Sequence, residues 1–337
     1  MSTDDLLIVG AREVASILEG RENAVLDAVQ RAYENHTRGD SSLPHSSFLR
    51  FPDSDLDRII SLPAYLGGDG FGVAGLKWIA SVPANVERGI ERASAVVILN
   101  RRETGRPYAI LEGSLISKQR TAASAALAAR VLRHGDKPRS VGFVGCGPIN
   151  LEVGHFLTAV WPDLDNFLVF DLSRERAEQF RDRFLASHPG RRFEVAGSLD
   201  ETFAGSGLVT FATTSGVPYV ETLDACQPGT TILHVSLRDL APEILLQHHN
   251  IVDDLGHVCR ANTSIHLTAE KVGHRDFVHG SIGELLLGEV EIPDGTGERL
   301  NIFSPFGLGV LDLAVAEQVY AEAKRAGLGS SVEAFLP

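Results

Sequence analysis

Three basic residues stand where a positive charge is costly unless something answers it. Lys77 lies inside the apolar run Val73-Ala74-Gly75-Leu76-Lys77-Trp78-Ile79-Ala80, where a desolvated ammonium needs a counter-charge or an anionic ligand. Arg120 and Thr121 open an alanine-rich stretch running to Leu132, read as a helix whose small side chains permit close packing. A cation at the positive end of a helix dipole is unfavourable unless an anion shares the place. With Arg50 ahead of them, these residues suggest carboxylate recognition. Taken singly, each is more often a surface or structural ion pair, so the functional reading rests on their convergence.

A second constellation sits in mid-chain. Gly145-Cys146-Gly147-Pro148-Ile149-Asn150 follows the apolar run Ser140 to Val144, and Asp171 ends another apolar run, Phe167 to Phe170, about 26 residues downstream. The first two glycines allow a tight strand-to-helix turn and close approach to a pyrophosphate, whose charge meets the positive end of the next helix. The third position is Asn150 in place of Gly or Ala, so the letters alone fit a plain structural turn equally well. Asp171 adds weight, because a carboxylate there accepts hydrogen bonds from ribose hydroxyls and repels a 2'-phosphate. NAD is therefore the expected cofactor, with Arg174 and Arg176 nearby leaving room for the phosphorylated form. Thr213-Thr214-Ser215 follows the apolar run Leu208 to Ala212, where strand ends face a cofactor; a polar turn is the competing reading. The expected cofactor contacts are Thr121, Gly145, Gly147, Pro148, Ile149, Asp171, Thr213, Ser215 and Ser236.

These residues need elements to position them. Residues 11 to 38 show helical spacing at Val14, Ile17, Leu18, Val25, Leu26, Val29 and Tyr33, broken near Gly20. Short β-like runs follow at Arg58 to Leu62, Gly72 to Ser81, Ala95 to Leu99 and 106 to 112, which predict a mostly antiparallel sheet. From Ser140 to about Asp254 strands and helices alternate, the pattern of a doubly wound parallel sheet. A last helix, about Leu308 to Ala326 and ended by Gly327, returns to the first domain. The fold class is thus α/β: a Rossmann-type doubly wound parallel sheet at 131–304, inserted in a second, α+β domain made of 1–130 plus 305–337.

Composition removes several function classes. The formal charge of -13 argues against nucleic acid as a partner, which needs clustered cations to replace phosphate counterions. The acidic N-terminus, Met1 to Asp5, has no basic region followed by an apolar one, and no apolar run is long enough to cross a bilayer. No membrane association and a cytoplasmic location are expected. Cys146, Cys226 and Cys259 share no metal-like spacing, an odd count that suits reduced packing residues. The histidines, His248-His249 included, show no ligand spacing, so no metal is expected. Asp253-Asp254 ends another predicted strand, where it could face the site, and reads more readily as a solvated turn.

Lys77-Trp78-Ile79, the stretch Glu112 to Ala123, Gly145-Cys146-Gly147 and Phe303-Ser304-Pro305-Phe306-Gly307 occur in an order that resembles the ornithine cyclodeaminase/mu-crystallin family, over nearly the whole chain. Glu91-Arg92-Ala93-Ser94, Val97 to Asn100, Glu103-Thr104 and Ser114 to Ser117 look most like its siderophore-type branch, which makes 2,3-diaminopropionate. The resemblance implies a homodimer, a first domain for substrate binding and dimerisation, and a Rossmann domain holding NAD. It places substrate contacts at Arg50, Lys77 and Arg120, and a catalytic aspartate near Asp239, at a spacing one residue longer than in cyclodeaminases. The N-cap of a helix starting around Pro242 is the other reading of Asp239.

The implied reaction is NAD-dependent oxidative cleavage of N-(1-amino-1-carboxy-2-ethyl)-glutamate to 2,3-diaminopropionate and 2-oxoglutarate. Its general acid and base are expected among Lys77, Asp239 and Glu112, the last of which has capping or orienting Arg120 as its competing role. The alternatives are an ornithine or lysine cyclodeaminase, a ketimine or imino-acid reductase, and a non-catalytic NAD(P)H-binding crystallin-like protein.

Overall fold

The computed structural model describes residues 5–293 and 298–336; residues 1–4 of the acidic N-terminus lie outside them. The chain begins with β1 (Leu6–Val9), α1 (Ala11–Leu18) and α2 (Glu22–Thr37), then β2 (Ser41–Ser42), β3 (Ser47–Phe51), β4 (Ser54–Leu66), β5 (Val73–Ser81), β6 (Ala93–Asn100) and β7 (Pro107–Glu112). Next comes the long alanine-rich α3 (Ser114–Leu132). An alternating segment follows: β8 (Val141–Val144), α4 (Pro148–Val160), β9 (Asn166–Phe170), α5 (Arg174–Ser187), β10 (Arg192–Val195), α6 (Leu199–Ala204), β11 (Leu208–Phe211) and β12 (Thr231–His234). It continues with α7 (Pro242–Gln247), β13 (His249–Val252), α8 (Leu255–Val258), α9 (Ser264–Val272), β14 (Val278–Ser281), α10 (Ile282–Leu287) and β15 (Asn301–Ser304). The chain closes with α11 (Gly309–Ala326) and β16 (Ser330–Val332).

Two compact units result: Met1–Arg120 with Leu308–Pro337, and Thr121–Gly307. The first holds a sheet ordered β16-β1-β7-β6-β5-β4-β2, with β3 paired to β4. Its pairs are antiparallel except β1 with β7. Strand alternation sorts the side chains. Leu62, Lys77, Val97 and Leu111 are cross-strand neighbours and buried, under α11, which packs on β4, β5 and β6. Close approach explains Gly75: a Cβ there would stand 2.3 Å from the Ile98 carbonyl oxygen and 2.9 Å from Leu313. The opposite face carries Leu49, Trp78 and Val96, respectively 47%, 40% and 38% exposed, an apolar surface open in the single chain.

The second unit is a wholly parallel sheet ordered β10-β9-β8-β11-β12-β15-β13-β14. Strand order reverses at β8, with β9 and β10 to one side and β11 and β12 to the other, so the carboxyl ends around β8 form the crevice where ligands bind such sheets. The central strands β8, β11 and β12 are buried on both faces, hence their short, mainly apolar runs. Stacked and tilted rings of Phe143, Phe167, Phe180, Phe184 and Phe193 fill the space under α5. Among the described residues no helix is long and apolar enough to cross a membrane.

Candidate functional site

In the first unit the two buried cations meet over a carboxylate that the sequence reading missed. Lys77 Nζ lies 2.8 Å from Asp312 Oδ2, off the line of a good hydrogen bond, and donates to Ser117 Oγ at 3.0 Å. Arg120 Nε donates to Asp312 Oδ1 at 3.0 Å, and its Nη2 approaches Ser117 Oγ at 3.4 Å. Lys77 is 2%, Arg120 9% and Asp312 0% exposed. Two cations against one anion leave an excess positive charge in a water-poor place. Burial first, then repulsion from Arg120, pulls the Lys77 ammonium down to about 8, although Asp312 works the other way.

Local structure corrects the reason given for Arg120. Helix α3 starts at Ser114, seven residues before Thr121, so Arg120 and Thr121 sit within the helix and not at its positive end. The early start has a cause: Glu112 accepts hydrogen bonds from the backbone of Ser114 (2.6 Å) and Leu115 (3.0 Å), satisfying two orphan donors of the first turn. Glu112 is thus the cap of this helix. Arg50 does not join the cluster. It is exposed on β3, its guanidinium 5.9 Å from the Phe48 ring centroid. Its partner in register is Arg58, itself opposite Ser81, which places Arg50 on the sheet face of Lys77 but four positions, about 13 Å, further along the strands.

The second unit gathers its candidates at the carboxyl ends of its strands. Gly145, at φ +93°, makes the turn after β8, and a Cβ there would lie 2.7 Å from the Ala212 carbonyl oxygen. Gly147 is the N-cap of α4, with Pro148 and Ile149 as its first residues. No side chain caps this helix, whereas Ser173 caps α5 and Ser198 caps α6. Its amino end therefore keeps donors for an anion. Asn150, fully buried, donates to the carbonyls of Val144 (2.9 Å) and Gly145 (2.8 Å) and accepts from Thr210 Oγ1 (2.9 Å). The residue that departs from the glycine pattern is a three-way brace for the turn. Asp171 accepts from the backbone of Cys146 and Ser173, both at 3.0 Å, and tethers the turn to β9. Those bonds leave each oxygen a second lone pair. These features fit a dinucleotide. The thiol of Cys146 is pushed up to about 12 by burial and by Asp171, which makes it an inert filler.

Asp239 is the centre of a polar network beside this turn. Its Oδ1 accepts from Thr213 Oγ1 and its Oδ2 from Ser236 Oγ, and His234 Nε2 lies 3.1 Å from Oδ2. The Tyr219 phenol lies near enough to Asp239 to feel its charge. Burial by itself would raise this carboxyl, but its polar neighbours His234, Ser236 and Thr213 outweigh it and hold the group below the usual carboxylate range. Burial and Asp239 push the Tyr219 phenol well above its ordinary value, so it stays a donor. Helix α7 does begin at Pro242, but Ala241 is its N-cap, which removes the capping role considered for Asp239. Thr213 and Ser236 spend their hydroxyls on Asp239, while Ser215 bonds the Val217 carbonyl.

Asp253 and Asp254 also correct the expectation of a solvated turn. Asp253 is buried and accepts from the backbone of Phe306 (2.9 Å) and Gly307 (2.6 Å), clamping the Phe303 to Gly307 segment, while Asp254 caps α8. His249 Nδ1 lies 3.2 Å from His279 Nε2, a histidine pair; among the described residues no group could hold a metal ion.

Sequence and structure comparisons bear on this geometry. The ornithine cyclodeaminase/mu-crystallin family pattern matches residues 10–327. The chain is 28% identical to the N-((2S)-2-amino-2-carboxyethyl)-L-glutamate dehydrogenase of Staphylococcus aureus, covering 98% of this chain and 99% of the relative. Its structure is similar to the crystal structure of CmnK, with a TM-score of 0.89 and 28% identity over 99% of this chain and all of that one. An archaeal alanine dehydrogenase dimer with bound NAD gives a TM-score of 0.86 and 27% identity over 98% of this chain and 100% of that one.

Proposed function

The chain belongs to the ornithine cyclodeaminase/mu-crystallin family, and from that premise we propose that it is an NAD-dependent dehydrogenase of amino acids that cleaves N-(1-amino-1-carboxy-2-ethyl)-glutamate oxidatively. The observation that carries the reading is the surplus positive charge of the buried Lys77–Asp312–Arg120 cluster. A substrate with three carboxylates supplies the anion that cluster lacks, and a local field of this kind attracts it despite the acidic whole. Arg120 and Lys77 hold carboxylates, Arg50 on the same sheet face takes another, and a bidentate guanidinium fixes the orientation of the α-hydrogen.

The glycine turn, the uncapped amino end of α4 and Asp171 would hold NAD, which would supply the hydride acceptor for the glutamate α-carbon. Asp171 holds the turn and selects the cofactor without a 2'-phosphate. The secondary amine becomes an iminium ion. Water then attacks its carbon: a C–O bond forms, the C–N bond breaks, and both protons of the water end on the departing amine nitrogen. The products are 2-oxoglutarate and 2,3-diaminopropionate. Asp239 holds the proton in transit, as a general base and then a general acid.

Absorbance at 340 nm tests the reading: NADH formation with the glutamate adduct supports it. Ammonia release from ornithine or lysine without net NADH points to a cyclodeaminase, and NADH oxidation with cyclic imines to a reductase. No turnover of any of these, with NAD(P)H still bound, leaves a crystallin-like binding protein. Lys77→Ala abolishes turnover while NAD binding survives; retained turnover refutes the assigned role of Lys77. The apolar sheet face bearing Leu49, Trp78 and Val96 is the proposed homodimer surface. Trp78→Glu should convert the particle to a monomer in light scattering, and an unchanged mass would move the interface elsewhere.

A further inference from the structure

His234 and Asp239 meet in a fully enclosed contact. Both residues are 0% exposed. His234 Nε2 accepts from the backbone N–H of Asp239 at 3.1 Å and also stands 3.1 Å from its carboxylate Oδ2. The other ring nitrogen, Nδ1, lies 3.3 Å from Ser304 Oγ. A neutral imidazole has one donor and one acceptor nitrogen. With Nε2 accepting from the backbone, the ring's proton sits on Nδ1 and points to Ser304. Nε2 and Oδ2 then face each other as two acceptors with no water between them, an arrangement that a single added proton turns into a hydrogen bond.

The surroundings offer no better holder. Tyr219, raised by burial and by the nearby Asp239 carboxylate, keeps its proton. Arg238, the nearby cation, gives its Nη2 to the Ala261 carbonyl at 2.7 Å. The Phe211 ring stands edge-on to His234, its centroid 6.1 Å away, and adds no polar group. Ser236 and Thr213 already donate their hydroxyl protons to Asp239.

We propose that His234 is a positioning residue that works through Asp239: the pair stores one proton between Nε2 and Oδ2 during the hydrolytic half of the reaction, with Ser304 fixing the ring's tautomer. The inference rests on the oxidative cleavage proposed above. Water attacking the iminium carbon gives one proton to the pair, whose charge passes from minus one to zero. That proton moves to the amine nitrogen as the C–N bond breaks, and the remaining hydroxyl proton passes through the same pair to the released amine as the carbonyl forms. No proton is consumed, and hydride transfer does not involve the pair. A store inside a dry site prevents loss of the proton to solvent before the amine departs.

The test uses rapid mixing of the whole enzyme with NAD and the glutamate adduct. His234→Gln keeps a polar group on Asp239 but cannot be protonated. We expect a burst of one NADH per site at the wild-type rate, followed by a steady state slowed by about a hundredfold, the scale of a lost general acid–base function, and a flattened acid limb in the pH profile of kcat. Ser304→Ala, a milder change that also serves if His234→Gln fails to fold, should shift that acid limb while the burst remains. Unchanged kcat and pH profile in both variants, or loss of the burst itself in a variant that still binds NAD, overturns the inference. Absence of turnover in the wild type overturns the cleavage reading instead, so the two failures are distinguishable.

Discussion

The two units bury polar clusters of opposite sign, and the contrast supports the division of labour proposed above. In the first, two cations close on Asp312 and leave positive charge over. In the second, a lone carboxylate, Asp239, is held by neutral donors from Thr213 and Ser236, beside an imidazole. Burial is nearly complete in both, so desolvation does not distinguish them; composition does. A surplus cation is a site for an anion, whereas a lone carboxylate facing an imidazole acceptor is a site for a proton. One cluster therefore suits binding and the other suits chemistry.

Removing the anion of the first cluster should have the largest effect. Asp312→Asn leaves Lys77 and Arg120 buried without a counter-charge, and breaking a buried ion pair in this way costs about 3–5 kcal/mol; denaturant unfolding reads it. A loss below about 1 kcal/mol would mean that water reaches the cluster and that its surplus charge is screened. Asn150 is the neutral comparator, equally buried. Asn150→Ala leaves two carbonyls and the Thr210 hydroxyl without that partner and should cost about 1–3 kcal/mol, with weaker NAD binding by calorimetry. A loss as large as that of Asp312→Asn would erase the distinction between charged and neutral burial.

Lys77 gives the smallest and sharpest effect. Its ammonium is charged below about 8, so kcat/KM for a carboxylate substrate should be level below that pH and fall by up to about tenfold per unit above it. Stability moves the other way. The unfolded lysine keeps its proton up to its ordinary value near 10.5 while the folded one loses it from about 8, so the unfolded state binds more protons between these values and this residue's contribution to stability rises with pH across that window. If activity and stability fell together there, another group would be titrating.

The legible part of the site was the part with local causes. Lys77 in an apolar strand and the glycines of the turn announced themselves because each violates a local rule that only a ligand or a partner repairs. Asp312 gave the same signal, a carboxylate in the apolar run Gly309 to Ala316, yet it lies 235 residues from Lys77 (312 minus 77) and nothing local pairs them. The alanines of α3 dominate its pattern and point to a start near Arg120, while the cap that sets the true start, Glu112, lies in the preceding strand and reaches forward. Asp253 looked like a turn residue because its partners, Phe306 and Gly307, are more than fifty residues away.

The sequence by itself determined the α/β class, the nucleotide turn and the need for an answer to buried positive charge, since periodicity, backbone freedom and desolvation act within a few residues. Tertiary structure alone decided that Asp312 is that answer, that Arg50 stands apart from it, and that Asp239 faces His234. Those are facts of strand register and helix packing, which bring together residues whose separation along the chain carries no trace of their meeting.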